Sequence, residues 1–313
     1  MEKRLKECEK SFLFTLLNSS SSLGDKSYKI YIFIYIILSV LILSKVNYFP
    51  DYANYDQYIT NGTAGLRFSF EPVNAFLMTS MHNLNFSAKE YYWLVWVISS
   101  FFLFLIPFIY GKRYFIFSIF LLLNPINIVM FQTPRQFLAY SFFVFALMLS
   151  MKIKILFLVL AILSHTISGF LSLYIVFLMQ FRKLFFSLSL LFGLILLVYF
   201  TTNIYTVYSA DEIQRGIGRL ILFSIFILAT LFLAYKKNVK DLFALISILL
   251  FVLLSYKITP YAGRILPFFL PIVLLYLFNS FKKKDSLFII HILILSYLAI
   301  STTIIISGRF GYG

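Results

Sequence analysis

Acidic residues and cysteine are both scarce in this chain. It has 12 Asp and Glu against 27 Lys and Arg, for a formal net charge of +15. The single cysteine, Cys8, sits in a basic N-terminal stretch, so no disulfide framework exists. Charged residues make up only 12% of the sequence and hydrophobic ones 61%, with a mean hydropathy of +0.91. Soluble domains average about 25% charged and about 45–50% apolar residues, so an ordinary water-soluble fold is excluded. Walker, Rossmann, zinc-ligand and Gly-x-Ser-x-Gly patterns are missing too. Nucleotide hydrolysis and metal chemistry therefore lack residues to carry them, and neither a cofactor nor a metal is expected. The apolar runs do not alternate, which excludes a β-barrel. No small-residue cleavage site follows the first of them, so no cleavable signal peptide is expected.

What the chain does have is a succession of apolar runs with short polar breaks. They cover residues 30–44, 91–110, 114–131, 136–151, 155–181, 184–201, 217–235, 241–256, 265–281 and 286–307. Tyrosines gather at run ends, as interfacial anchors do. The sequence predicts an all-α fold: a polytopic integral membrane helical bundle of about 10–11 transmembrane segments, each spanning about 30 Å of hydrocarbon. A single membrane domain over residues 30–307 is expected, between a basic tail (1–29) and a short end (308–313).

Basic residues orient the bundle. With the N-terminus inside, the inner segments collect Lys3, Arg4, Lys112, Arg113, Lys236, Lys237, Lys282, Lys283, Lys284 and others, about 18 of the 27. The positive charge thus reads as topology and attraction to anionic lipid rather than a nucleic-acid footprint. The same rule puts both ends of 155–181 inside. Two full spans need roughly 40 residues, so a broken or re-entrant pair of half-helices is expected, meeting near Ser164-His165-Thr166-Ile167-Ser168-Gly169.

Arginine has the opposite distribution. Of the nine arginines, Arg67, Arg135, Arg215, Arg219, Arg264 and Arg309 fall outside. Arg135, Arg219 and Arg264 each open a predicted helix, where the dipole disfavours a cation unless an anion joins it. Thr133-Pro134-Arg135-Gln136 reads as an N-cap, a proline at the first position and the first turn. Guanidinium forks grip phosphate oxygens, so one reading is a shared anion site; the other is headgroup snorkelling or pairing with local acids. A long outer loop, 45–90, interleaves Asp51, Asp56 and Glu71 with Tyr48, Tyr52, Tyr55 and Tyr58, a composition suited to sugar hydroxyls and ring faces. Its bland reading is a solvated loop whose acids offset the arginines. Glu71-Pro72 starts a short apolar stretch, 73–84, expected to lie at the outer boundary. A second outer loop, 202–216, carries Asp211, Glu212 and Arg215 and reads as a lid. His165, within an apolar segment, is either a base or a hydrogen-bonding packing residue. His82 and His291 do not compete with it.

In this order, Asp51…Tyr55-Asp56…Glu71-Pro72, Pro134-Arg135-Gln136-Phe137-Leu138-Ala139, Ser164-His165-Thr166-Ile167-Ser168-Gly169 and Gly263-Arg264 resemble the EpsG/Wzy-type polysaccharide polymerases. The resemblance covers roughly residues 30–280, and Thr166 and Ser168 depart from the family's more apolar arrangement around the histidine. It implies an enzyme of the bacterial inner membrane that makes O-antigen, capsule or exopolysaccharide. Its substrate would be an undecaprenyl-pyrophosphate-linked oligosaccharide, with membrane lipid, a flippase and a chain-length regulator as partners. Arg135 and Arg264 would then stabilise the leaving pyrophosphate, with His165, Glu71 or Asp56 as the base. Asp51, Tyr55, Asp56, Gln136, Arg215 and Arg219 would contact the substrate. A lipid-linked oligosaccharide flippase or a membrane O-acyltransferase are the rival classes. The first should show charge at midplane and an internal repeat, and the second has no evident use for outer arginines.

Overall fold

The computed structural model describes residues 25–49, 51–110, 114–123, 127, 130–181, 268–272 and 300. Among these residues the secondary structure is helical, with no strand. The chain divides into two compact units, Ser20–Phe170 with Phe288–Gly313 and Met1–Ser19 with Leu171–Leu287. Of the second, the description covers helical residues 171–181 and 268–272. Everything below concerns the first.

Its helices run α1 (Asp25–Ser44), α2 (Tyr52–Thr60), α3 (Ala64–Arg67), α4 (Pro72–Asn83), α5 (Ala88–Tyr110), α6 (Tyr114–Leu123), α7 (Pro134–Met148), α8 (Met151–Ser164) and the start of α9 (Thr166–Phe181). Among the described residues, only Ala88–Ile109 forms a helix long and apolar enough to cross a membrane. With 15 and 14 residues, α7 and α8 fall short of the roughly 20 that a full span needs. The expected 45–90 loop is mostly helix: α2, α3 and α4 fill it.

Local sequence explains the helix starts. Ser87-Ala88-Lys89-Glu90 is a capping box: the Ser87 backbone N–H donates to Glu90 Oε2 at 2.9 Å, and its hydroxyl binds the same oxygen. Pro72 and Pro134 each stand in the first turn of their helix, where a missing N–H costs nothing. Inside, α5 packs along α7 through aromatic rings. Trp96 stacks on Phe137 at 5.6 Å, and Phe131 meets Trp96 edge-on at 4.9 Å. Contacts of this kind add about 0.5–1.5 kcal/mol each beyond their burial.

The helices differ in what they show to their surroundings. From Gln136 to Met148 every residue of α7 is buried. On α5, Tyr91, Tyr92, Val95, Trp96 and Leu103 are buried, while Trp93, Val97, Phe101 and Phe108 are exposed. On α1, Phe33, Ile36, Ile37 and Val40 are exposed. These two helices therefore carry apolar side chains on both their buried and their exposed faces.

Helix α8 ends at Ser164, His165 is extended, and α9 begins at Thr166. The helix thus breaks within the stretch that the sequence marks. At Gly169, an added Cβ would fall on the backbone of Ile162, so the return past α8 is closer than any side chain allows.

Candidate active site

Residues 70–74 clasp the helix break at three points. Thr166 Oγ1 donates to the Phe70 carbonyl at 3.0 Å, and the Thr166 backbone N–H donates to the Glu71 carboxylate. Fully buried Asn74 donates through Nδ2 to the Ser164 carbonyl, one of the acceptors that the end of α8 leaves without a helical partner. Asn74 Oδ1 in turn accepts from the Tyr91 hydroxyl at 2.8 Å, which extends the clasp to α5. Glu71 is the N-cap residue of α4 and Asn74 stands three positions on, so one helix start presents both groups. That spacing within an apolar run is the signal by which Asn74, absent from the sequence-level candidates, is recognisable.

Arg135 completes the arrangement. It lies in the first turn of α7, and its Nη1 donates to Glu71 Oε2 in a close ion pair; the two side chains are 20% and 12% exposed. Its Nε donates to the Tyr55 hydroxyl at 2.9 Å. The guanidinium carbon stands 4.2 Å from the Phe68 ring centre and 5.8 Å from that of Tyr55. The anion that joins this helix start is therefore the protein's own Glu71 carboxylate. Three helix starts, those of α4, α7 and α9, meet on one ion pair.

Electrostatics set the two acidic groups apart from ordinary surface side chains. Burial pushes the Glu71 carboxyl up, and Arg135 and the Thr166 N–H pull it back without cancelling the rise. Burial also raises the buried Tyr55 phenol, again against the pull of Arg135. Tyr55 therefore stays protonated near neutral pH and serves as an acceptor for the guanidinium.

His165 is half-buried at the break, and its Nδ1 accepts the Ser168 backbone N–H at 3.3 Å. It thereby caps α9. With Nδ1 accepting, a neutral ring carries its proton on Nε2. Glu71, one of the sequence candidates for the base, sits where burial raises its proton affinity.

The remaining candidates divide. Tyr55 lies at the ion pair. Asp56 does not: its Oδ1 accepts the Ala88 backbone N–H at 3.0 Å and holds the start of α5. Asp51 is the N-cap residue of α2, half-buried and without a side-chain capping bond. Gln136 is buried in the first turn of α7. His82 donates from Nδ1 to the Ile59 carbonyl at 2.7 Å and packs against Gly62, which closes the end of α2 with a positive φ of 63°. Arg67 is exposed. Arg215, Arg219, Arg264, Arg309, Asp211, Glu212, His291 and Cys8 lie outside the described residues, as do the predicted spans from 184 to 256 and most of those from 265 to 307. Among the described residues no group of three or more His, Cys, Asp and Glu is placed to hold a metal ion.

Comparison with protein-family models, with characterised proteins and with solved structures finds no match to this chain.

Proposed function

We propose that the chain is a multi-pass enzyme of the bacterial inner membrane that joins undecaprenyl-pyrophosphate-linked oligosaccharide repeat units on the outer face. The observation that carries this reading is the Glu71–Arg135 pair, a largely buried carboxylate and guanidinium at the meeting of three helix starts, tied to the broken helix at His165. Apolar helices exposed on their outer faces, such as α1 and α5, suit lipid. So do Leu66, Phe70 and Phe76, exposed at 86%, 86% and 72% on the short segments beside the pair, where a lipid-borne substrate would arrive.

In the proposed reaction the acceptor sugar's hydroxyl oxygen attacks the anomeric carbon of the donor glycan. The bond from that carbon to the pyrophosphate oxygen breaks, and its electron pair leaves with the lipid pyrophosphate. Glu71 takes the hydroxyl proton. Arg135 faces the charge that develops on the leaving oxygens. The resemblance adds Arg264 to this set. No nucleotide is required, since the leaving group is already activated.

Deleting the gene and resolving surface glycan on a gel tests the reading. The expected product is a single repeat unit on its carrier. Complete absence of glycan would contradict the polymerase and favour a flippase; unchanged long chains would contradict both.

A further inference from the structure

Glu71 occupies the place on Arg135 that a substrate anion needs. Arg135 does not depend on Glu71 for its position. Its Nε–H is held by Tyr55 at 2.9 Å, and its guanidinium rests on the Phe68 ring at 4.2 Å. Removing the carboxylate leaves both anchors in place. Glu71 is tied less firmly. Its side chain makes no capping bond to its own helix, and its contacts are the Arg135 pair and the Thr166 N–H. Of the two partners, the carboxylate is the one that can leave. A carboxylate is also the side chain closest to a phosphate in its demands, since both take paired N–H donors from a guanidinium fork.

We propose that Glu71 is an internal stand-in for pyrophosphate: it neutralises Arg135 in the empty protein, is displaced when the donor's pyrophosphate arrives, and is thereby released to serve the acceptor hydroxyl. The proposal rests on the polymerase reading and gives it an order of events. A buried cation left without an anion is costly, so exchanging one anion for another keeps Arg135 neutralised throughout. The exchange also makes the base conditional. While paired, Glu71 has its proton affinity held below what its burial alone would give; once Arg135 turns to phosphate, the carboxylate loses that restraint and takes a proton more readily. Acceptor activation then follows donor binding, which guards the activated glycan against a base that works in its absence.

The test uses the purified full chain in detergent and measures affinity by quenching of tryptophan fluorescence. The probes are farnesyl pyrophosphate, inorganic pyrophosphate and phosphatidylglycerol. Glu71→Gln still accepts hydrogen bonds from Arg135 and Thr166 but no longer competes as an anion, so farnesyl pyrophosphate should bind about tenfold tighter than to the wild type. Glu71→Asp keeps the charge on a shorter arm and should show a smaller gain, which preserves the test if the Gln variant does not fold. Unchanged or weaker binding in both variants would overturn the proposal. An equal gain for inorganic pyrophosphate would keep the displacement and overturn the lipid-linked assignment. A gain for phosphatidylglycerol would overturn the pyrophosphate assignment by making this a membrane-headgroup contact. Polymerisation by the wild type with no gain in Glu71→Gln defeats the stand-in alone; the gain without polymerisation in any variant defeats the polymerase reading alone.

Discussion

Asp56 and Glu71 are both carboxylates in the same tyrosine-rich stretch, and each precedes or sits within a short helix, yet the fold gives them opposite surroundings. Asp56 accepts one backbone N–H, that of Ala88, and so secures the start of α5. Its duty is complete within the fold. Glu71 faces a guanidinium and the first N–H of α9, and burial raises its proton affinity against both. A carboxylate that only caps a helix is replaceable by any acceptor of similar length. One that is buried, paired to an arginine and joined to a helix break has been given properties that capping does not require. Acidic residues in such a stretch are therefore separated by their partners, not by their neighbours in sequence.

Substitutions should sharpen this contrast. The largest effect is expected for Glu71→Gln, which keeps the hydrogen bonds and removes the base; turnover of purified protein on lipid-linked repeats should fall about 10²–10⁴-fold. Asn74→Ala should come next. It leaves the Ser164 carbonyl and the Tyr91 hydroxyl buried without their partner, at a cost of about 1–3 kcal/mol, measurable as a lower denaturation temperature in detergent. Gly169→Ala forces a Cβ onto the Ile162 backbone and should destabilise by about 1–3 kcal/mol, the usual range for overpacking. Asp56→Ala should cost least, about 0.5–2 kcal/mol as for a lost helix cap, with turnover of the remaining folded protein close to the wild type. A turnover loss at Asp56 as deep as that at Glu71 would break the comparison.

The parts of this arrangement legible in the sequence are those with local causes. Pro134 ahead of Arg135 places the arginine in a first helical turn without any tertiary information. The break at His165 shows as an interruption of an apolar run, and α4 as a run too short to span. What the sequence leaves open is pairing. Nothing local says that Arg135 meets Glu71 rather than Asp56, or that Asn74 closes the end of α8, because these contacts join segments far apart in the chain. His165 illustrates the other limit. Its residue type makes it a candidate base, and only the structure shows the Ser168 N–H on its Nδ1. The 45–90 stretch reads as a loop from its tyrosines and acids, but α2, α3 and α4 form there once Tyr55, Phe68 and Met78 find buried positions.

The account stands or falls on Arg135. Lysine at this position keeps the charge and loses the planar fork, the Tyr55 bond and the stacking on Phe68. The deciding measurement is polymerisation by purified wild-type and Arg135→Lys protein, at equal folded amounts, supplied with undecaprenyl-pyrophosphate-linked repeat units. The account predicts a ladder of longer glycans with release of undecaprenyl pyrophosphate from the wild type, and single repeat units almost alone from Arg135→Lys. A ladder of the same length and rate from both would contradict it.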